Sequence, residues 1–189
     1  MKYENIIHFK QEIMAMETLY IFSDGNCKFN GQKDAKAGYS AFFTDNINSP
    51  LYQFNKTSII LEEPTNNKAE LSAIRYILDI ILKNPQIFQD KKIVICTDSM
   101  YSIQCITTWC HNWMKNGWKT SSKQPVKNKE LIQDIVHKKN ILSHTHHISF
   151  QHIRSHQPEP LHRDTLEWKL WHGNHKVDAD INQLLLLVA

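Results

Sequence analysis

Glycine and proline are scarce in this chain, five and six in 189 residues. So few backbone breakers exclude a collagen-like or low-complexity protein. A composition of 41% hydrophobic and 22% charged residues excludes a disordered one. Long apolar runs are missing as well: the longest, Leu184 to Val188, falls far short of the roughly 20 residues a membrane helix needs. The opening stretch, MKYENIIHFKQEIM, carries Glu4 and Glu12 and has no apolar h-region, so no secretory signal is read and a cytosolic or nuclear protein is expected. Cysteine is limited to Cys27, Cys96, Cys105 and Cys110, without C-x-x-C spacing and inside segments that read as strand or helix. Reduced thiols follow from that pattern. Strong charge of one sign is absent too: a net charge of +3 does not by itself announce a nucleic-acid binder.

What is present is concentrated locally. Between Trp109 and Lys129 stand five lysines, Lys115, Lys119, Lys123, Lys127 and Lys129, with no acid and with Trp113 and Trp118 interleaved. The length suits one domain with its own core. TLYIFSD (18–24), AGYSAFFT (37–44) and LYQFNKTSII (51–60) read as three strands of an antiparallel meander. The period then changes, and Leu71, Ile74, Leu78, Ile81 and Leu82 fall at helical spacing until Asn84-Pro85. KKIVICTD (91–98) reads as a buried strand ahead of a helical SMYSIQCITTWC (99–110). NKELIQDIVHKKN (128–140) reads as a helix, HISFQHIR (147–154) as a strand and VDADINQLLLLV (177–188) as a closing helix. The order βββαβα, helical insert, βα predicts one α/β domain with a mixed sheet over 18–189, preceded by an arm over 1–17 of unknown role.

On that reading four acids gather at one rim of the sheet. Asp24 ends the first strand, Glu70 lies in the first turn of the long helix, Asp98 ends the fourth strand, and Asp178 lies near the start of the last helix. Each has an ordinary structural explanation: a turn at Asp24-Gly25, a capping-box acid at Glu70, a helix N-cap at Asp98, a first-turn acid at Asp178. Together they would repel one another unless divalent cations neutralised them. Mg²⁺ takes oxygen ligands of this kind, and two such ions can stabilise the attacking and leaving oxygens of a phosphodiester displacement.

The motifs SDGNC (23–27), TNNKAEL (65–71), TDSMY (97–101), HNWMKNGWKTSSKQPVKN (111–128) and HGNHKVDADI (172–181), in that order, resemble type 1 ribonuclease H over nearly the whole chain. The resemblance implies a ribonuclease H-like fold, a five-stranded mixed sheet flanked by helices with a basic handle insertion. It also implies an endonuclease that cuts the RNA strand of RNA-DNA hybrids by two-metal-ion catalysis, leaving a 5′-phosphate and a 3′-hydroxyl. By matching motif, Asp24, Glu70, Asp98 and Asp178 would bind Mg²⁺, with Mn²⁺ as a substitute. His156 would correspond to the family's mobile histidine, assisting proton transfer or product release. Cys27, Asn30, Thr65, Asn66 and Asn67 would touch the hybrid near the cut, where short amides and hydroxyls can bond the 2′-hydroxyls that mark RNA. Trp109, Trp113, Lys115, Lys119, Ser121 and Asn128 would belong to the handle, the DNA-strand channel and its phosphate pocket.

Four features depart from the family pattern. Met100 replaces a polar side chain after TDS, Glu63 stands where some relatives have an arginine, the first loop NCKFNGQKDAKAGY (26–39) has fewer glycines than usual, and 157–174 reads as an enlarged loop. A catalytically weak hybrid-binding module and a related nuclease for double-stranded RNA or branched DNA are the alternative readings. The handle also predicts activity without an obligate protein partner, and the resemblance implies a monomer.

Overall fold

A computed structural model describes residues 16–188. Five strands, β1 (Glu17–Lys28), β2 (Lys36–Phe42), β3 (Lys56–Ile60), β4 (Lys91–Thr97) and β5 (His147–His152), form one sheet in the order β3-β2-β1-β4-β5. β1, β2 and β3 pair antiparallel, while β1, β4 and β5 run parallel, so the sheet is mixed as the element order predicted. The helices are α1 (Asn66–Lys83), α2 (Pro85–Phe88), α3 (Met100–Gln104), α4 (Cys110–Asn116), α5 (Lys129–Leu142) and α6 (Leu166–Leu187). This is the ribonuclease H-like fold.

Strand alternation divides the core between two faces. Ile21, Ile93 and Ile95 point to the layer holding Leu71, Ile74, Leu78, Ile132 and Ile135 of α1 and α5. Their neighbours Phe22, Val94 and Cys96 point the other way, to Val177 of α6. Gly173 permits that second layer to close, because a methyl group there would lie 2.3 Å from the Phe22 ring. All four cysteines are buried free thiols.

Several boundaries differ from the sequence reading. The third strand is shorter: Tyr52–Phe54 form a 3₁₀ turn that buries Phe54, and the Asn55 side chain accepts from Phe43 N at 2.7 Å and donates to Thr44 O at 2.8 Å. Between α3 and α4, Cys105–Trp109 form a π-helical stretch, where the Thr107 hydroxyl donates to Ile103 O at 2.6 Å. The last helix begins at Leu166 rather than Val177, capped by Thr165, whose hydroxyl accepts from Trp168 N at 3.1 Å. Half of the expected loop over 157–174 is therefore helix. The expected arm over 1–17 ends sooner, since Glu17 already pairs with Lys91 in the sheet; residues 1–15 lie outside the described residues.

Candidate active site

The parallel register of β1 and β4 sets Phe22 beside Cys96, and carrying it two residues on brings Asp24 beside Asp98. Asp24 stands within β1 rather than at its end, since the strand runs on to Lys28, and Asp24-Gly25 is extended backbone, not a turn. Asp98 follows β4 directly. It does not cap the next helix: Ser99 does, its hydroxyl accepting from Ser102 N at 3.2 Å. Glu70 lies in the second turn of α1, whose cap is Thr65 rather than Asn67; the Thr65 hydroxyl accepts from Lys68 N at 3.2 Å. Asp178 sits in the middle of α6, because that helix starts so much earlier.

Glu70 reaches the site past Gly25. Odd-numbered residues of β1 face α1, and at Gly25 the missing side chain lets the backbone of α1 press onto the strand, so a Cβ would lie 2.1 Å from Glu70 N. Asp24, of opposite parity, projects toward the layer of α6 and Asp178. Carboxylate oxygens of Asp24, Glu70 and Asp98 thus come within 4.8 Å of one another.

Burial and mutual repulsion shape the electrostatics. Asp24 and Glu70 are 6% and 5% exposed. Desolvation first, then the charge of Asp98, pushes the Asp24 carboxyl up to about 7, against the bond it accepts from Gly25 N at 2.7 Å. Glu70 is raised well above the carboxylate range by burial and then by the charges of Asp24 and Asp98. Asp98 is raised by burial and by Asp178. Glu70 Oε2 is the one buried side-chain oxygen or nitrogen among the described residues with no hydrogen-bond partner. An orphaned oxygen among converging, self-repelling carboxylates fits a divalent cation: an all-oxygen donor set suits a hard ion such as Mg²⁺.

Comparison with known proteins gives the family. The RNase H family matches residues 16–183. The chain belongs to the ribonuclease H family. Ribonuclease H of Stutzerimonas stutzeri is 37% identical over 150 residues, covering 78% of this chain and 85% of that protein. Ribonuclease H of Schizosaccharomyces pombe is 33% identical over 154 residues, covering 79% of this chain; the match spans only about half, 51%, of that longer relative. The solution structure of the PFV RNase H domain shares the fold with a TM-score of 0.58 at 22% identity, covering 90% of this chain and 95% of that one.

The remaining candidate residues fall into three groups. Asn30, Thr65 and Asn66 adjoin at the start of α1, where Asn30 Oδ1 accepts from Asn66 N at 3.3 Å and Asn67 is exposed beside them. Cys27 is close by but buried, its thiol donating to Pro64 O at 3.5 Å. In the handle, Tyr101, Trp109, Trp113 and Trp118 form a chain of rings with centroids 6.0, 5.8 and 5.9 Å apart. Trp118 is buried and Trp109 and Trp113 half-buried, so the tryptophans anchor the handle to the core. Lys115, Lys119 and Ser121 are exposed, and Asn128 takes a left-handed backbone (φ 56°) at the cap of α5. His156 is exposed on the loop after β5, also left-handed (φ 53°). It lines a recess of about 360 Å³ together with Asp98 and Asp178.

Sequence reasoning missed the residues that hold the acids. Asn182 donates to Asp178 Oδ1 at 3.0 Å and accepts from Asn26 Nδ2 at 2.9 Å, tying α6 to β1. The spacing of Asp178 and Asn182, one helical turn, was a usable signal. His152 Nε2 lies 3.1 Å from the backbone oxygen of Asp98, a contact across β4 and β5 that no local pattern shows. Of the neighbouring histidines, His146 is buried, its ring nitrogens 2.8 Å from the Thr145 hydroxyl and 3.3 Å from Pro85 O, a structural arrangement.

Proposed function

We propose that this ribonuclease H hydrolyses the RNA strand of RNA-DNA hybrids through a two-metal centre held by Asp24, Glu70, Asp98 and Asp178, with Mg²⁺ as the ion and Mn²⁺ as a substitute. Family membership supports the reaction class. The observation that carries the site is the convergence of three carboxylates from β1, α1 and the end of β4 within 4.8 Å, with Glu70 Oε2 unpartnered among them.

Divalent ions bound there supply neutralisation of the acids and of the phosphate, and activation of the attacking water. The protein's own groups place the charge. Buried Asp24 and Glu70 present carboxylates that water solvates poorly, so ligation is the favoured way to satisfy them. His152 steadies the backbone at Asp98, and Asn182 orients Asp178. The water's oxygen bonds to phosphorus, the bond from phosphorus to O3′ breaks, and a proton goes to O3′, leaving a 5′-phosphate and a 3′-hydroxyl. His156 lines the same recess as Asp98 and Asp178, which supports a role in donating that proton or aiding release of the product.

Cys27, Asn30, Thr65, Asn66 and Asn67 would bind the hybrid next to the acids, and Trp109, Trp113, Lys115, Lys119, Ser121 and Asn128 would engage the DNA strand from the handle. No described helix is long and apolar enough to cross a membrane. A monomer working in cytosol or nucleus without an obligate partner completes the proposal. The test is cleavage of an end-labelled RNA-DNA hybrid, with Mg²⁺ or EDTA, by the wild type and Asp98→Asn. Metal-dependent cutting of the RNA strand, lost in the variant, supports the reading. Tight binding without cutting by either protein would replace it with a hybrid-binding module, and equal cutting of double-stranded RNA or DNA with a broader nuclease.

A further inference from the structure

The turns that α6 gains before Val177 carry two tryptophans that fasten the loop following His156. Trp171 Nε1–H donates to Gln157 O at 2.8 Å, one residue beyond His156. Trp168 Nε1–H donates to Glu159 Oε1 at 3.1 Å, and Glu159 in turn pairs with Arg163 at 3.1 Å. The Trp171 ring is itself held, stacked on His175 with centroids 5.0 Å apart and planes 7° from parallel. Trp171, His175 and Asp178 follow one another at helical spacing, so a single stripe of α6 faces the recess. That recess is closed on its other side by His152 and by the loop carrying His156 and Gln157.

His156 itself is exposed, has a left-handed backbone and lines that recess. An indole N–H bonded to the Gln157 carbonyl restricts the peptide that joins Gln157 to Pro158, so the loop is anchored one residue beyond His156 and the directions in which the imidazole can leave the chain are limited. We propose that Trp171 is a positioning residue for His156, acting through the Gln157 carbonyl and holding the imidazole on the side of the recess that opens to Asp98 and Asp178. The inference rests on the role proposed for His156. It assigns a part in turnover to the segment whose sequence reads as an enlarged loop.

Trp171→Phe is the informative change, since it keeps an aromatic ring on His175 and removes only the indole and its N–H. Steady-state cleavage of a hybrid at saturating Mg²⁺ should show kcat reduced about three- to tenfold, the effect of one hydrogen bond, with KM within about twofold. The same substitution in a His156→Ala background should cost nothing further, because the histidine it positions is gone. Thermal melting of each variant, followed in parallel, reports folding. Trp171→Phe at wild-type kcat, while His156→Ala is slow, would overturn the inference and leave the role of His156 standing. Equal losses in both backgrounds would overturn it by showing a general structural effect. A His156→Ala enzyme at wild-type rate would remove the reading of His156, and the inference with it.

Discussion

Gly25 and Glu70 meet so closely that a single methyl group on Gly25 would sit 2.1 Å from the Glu70 backbone nitrogen and 2.3 Å from the Ala69 carbonyl carbon. That contact brings a helix against a strand at the one place where a carboxylate from α1 can join those of β1 and β4. The backbones leave no flexible side chain to give way. Gly25→Ala is expected to destabilise the protein by at least about 3 kcal/mol, as overpacking against fixed backbone does, and to depress cleavage in whatever fraction folds. Urea unfolding of the variant, compared with the wild type, checks it; an unchanged midpoint would mean that α1 moves away freely.

The acids should make the metal-free protein sensitive to pH in an unusual direction. Asp24 is raised from 3.8 to about 7, so between those values the folded state binds more protons than the unfolded state. Stability conferred by the protonated carboxyl is therefore full below about pH 4 and is lost as pH rises through about 7. The upward displacements of Glu70 and Asp98 act in the same sense. In EDTA at pH 8, Asp24→Asn should be more stable than the wild type by about 1–3 kcal/mol. Mg²⁺ should raise the melting temperature of the wild type and not that of the variant.

Removing a ligand should cost far more than removing a contact. Alanine at Asp24, Glu70 or Asp98 is expected to lower the hybrid-cleavage rate at least about a hundredfold at saturating Mg²⁺, the equivalent of about 3 kcal/mol in the transition state. Single-turnover rates measure this directly. A rate within a few-fold of the wild type at any of the three would show that the residue is not a ligand.

Lys115 and Lys119 are exposed on the handle. If each neutralises one phosphate, Lys115→Gln or Lys119→Gln should flatten the log-log dependence of hybrid affinity on salt by about 0.9, the value for B-form DNA. The rate at saturating hybrid should not change. Binding titrations at several salt concentrations separate this from a solvated lysine face, for which the slope would stay constant.

The architecture was legible where chemistry repeats along the chain. The β-branched and aromatic TLYIFSD marked β1, the apolar run KKIVICTD marked β4 as a buried strand, and the spacing of Leu71, Ile74 and Leu78 marked α1. The acids were legible through their motifs. Their local settings were not: Asp24-Gly25 has the composition of a turn, yet it continues a strand because β2 pairs with it, Asp24 opposite Ser40. The start of α6 was hidden because 157–174 mixes prolines, charges and tryptophans without an apolar stripe. What makes Leu166 onward helical is packing, with Gly173 against Phe22, together with the Thr165 cap.

By itself, then, the sequence determined the element order, because that depends on residue types at short, regular separations, and it offered the four acids as candidates through their motifs. Tertiary structure alone decided the rest. The β1/β4 register, the approach permitted at Gly25, the middle-of-helix position of Asp178 and the tie between Trp171 and Gln157 each join residues far apart in the chain or in different elements. Such distances and burials are set by packing, and from packing come the displaced ionisation of the carboxylates and the one unpartnered oxygen of Glu70.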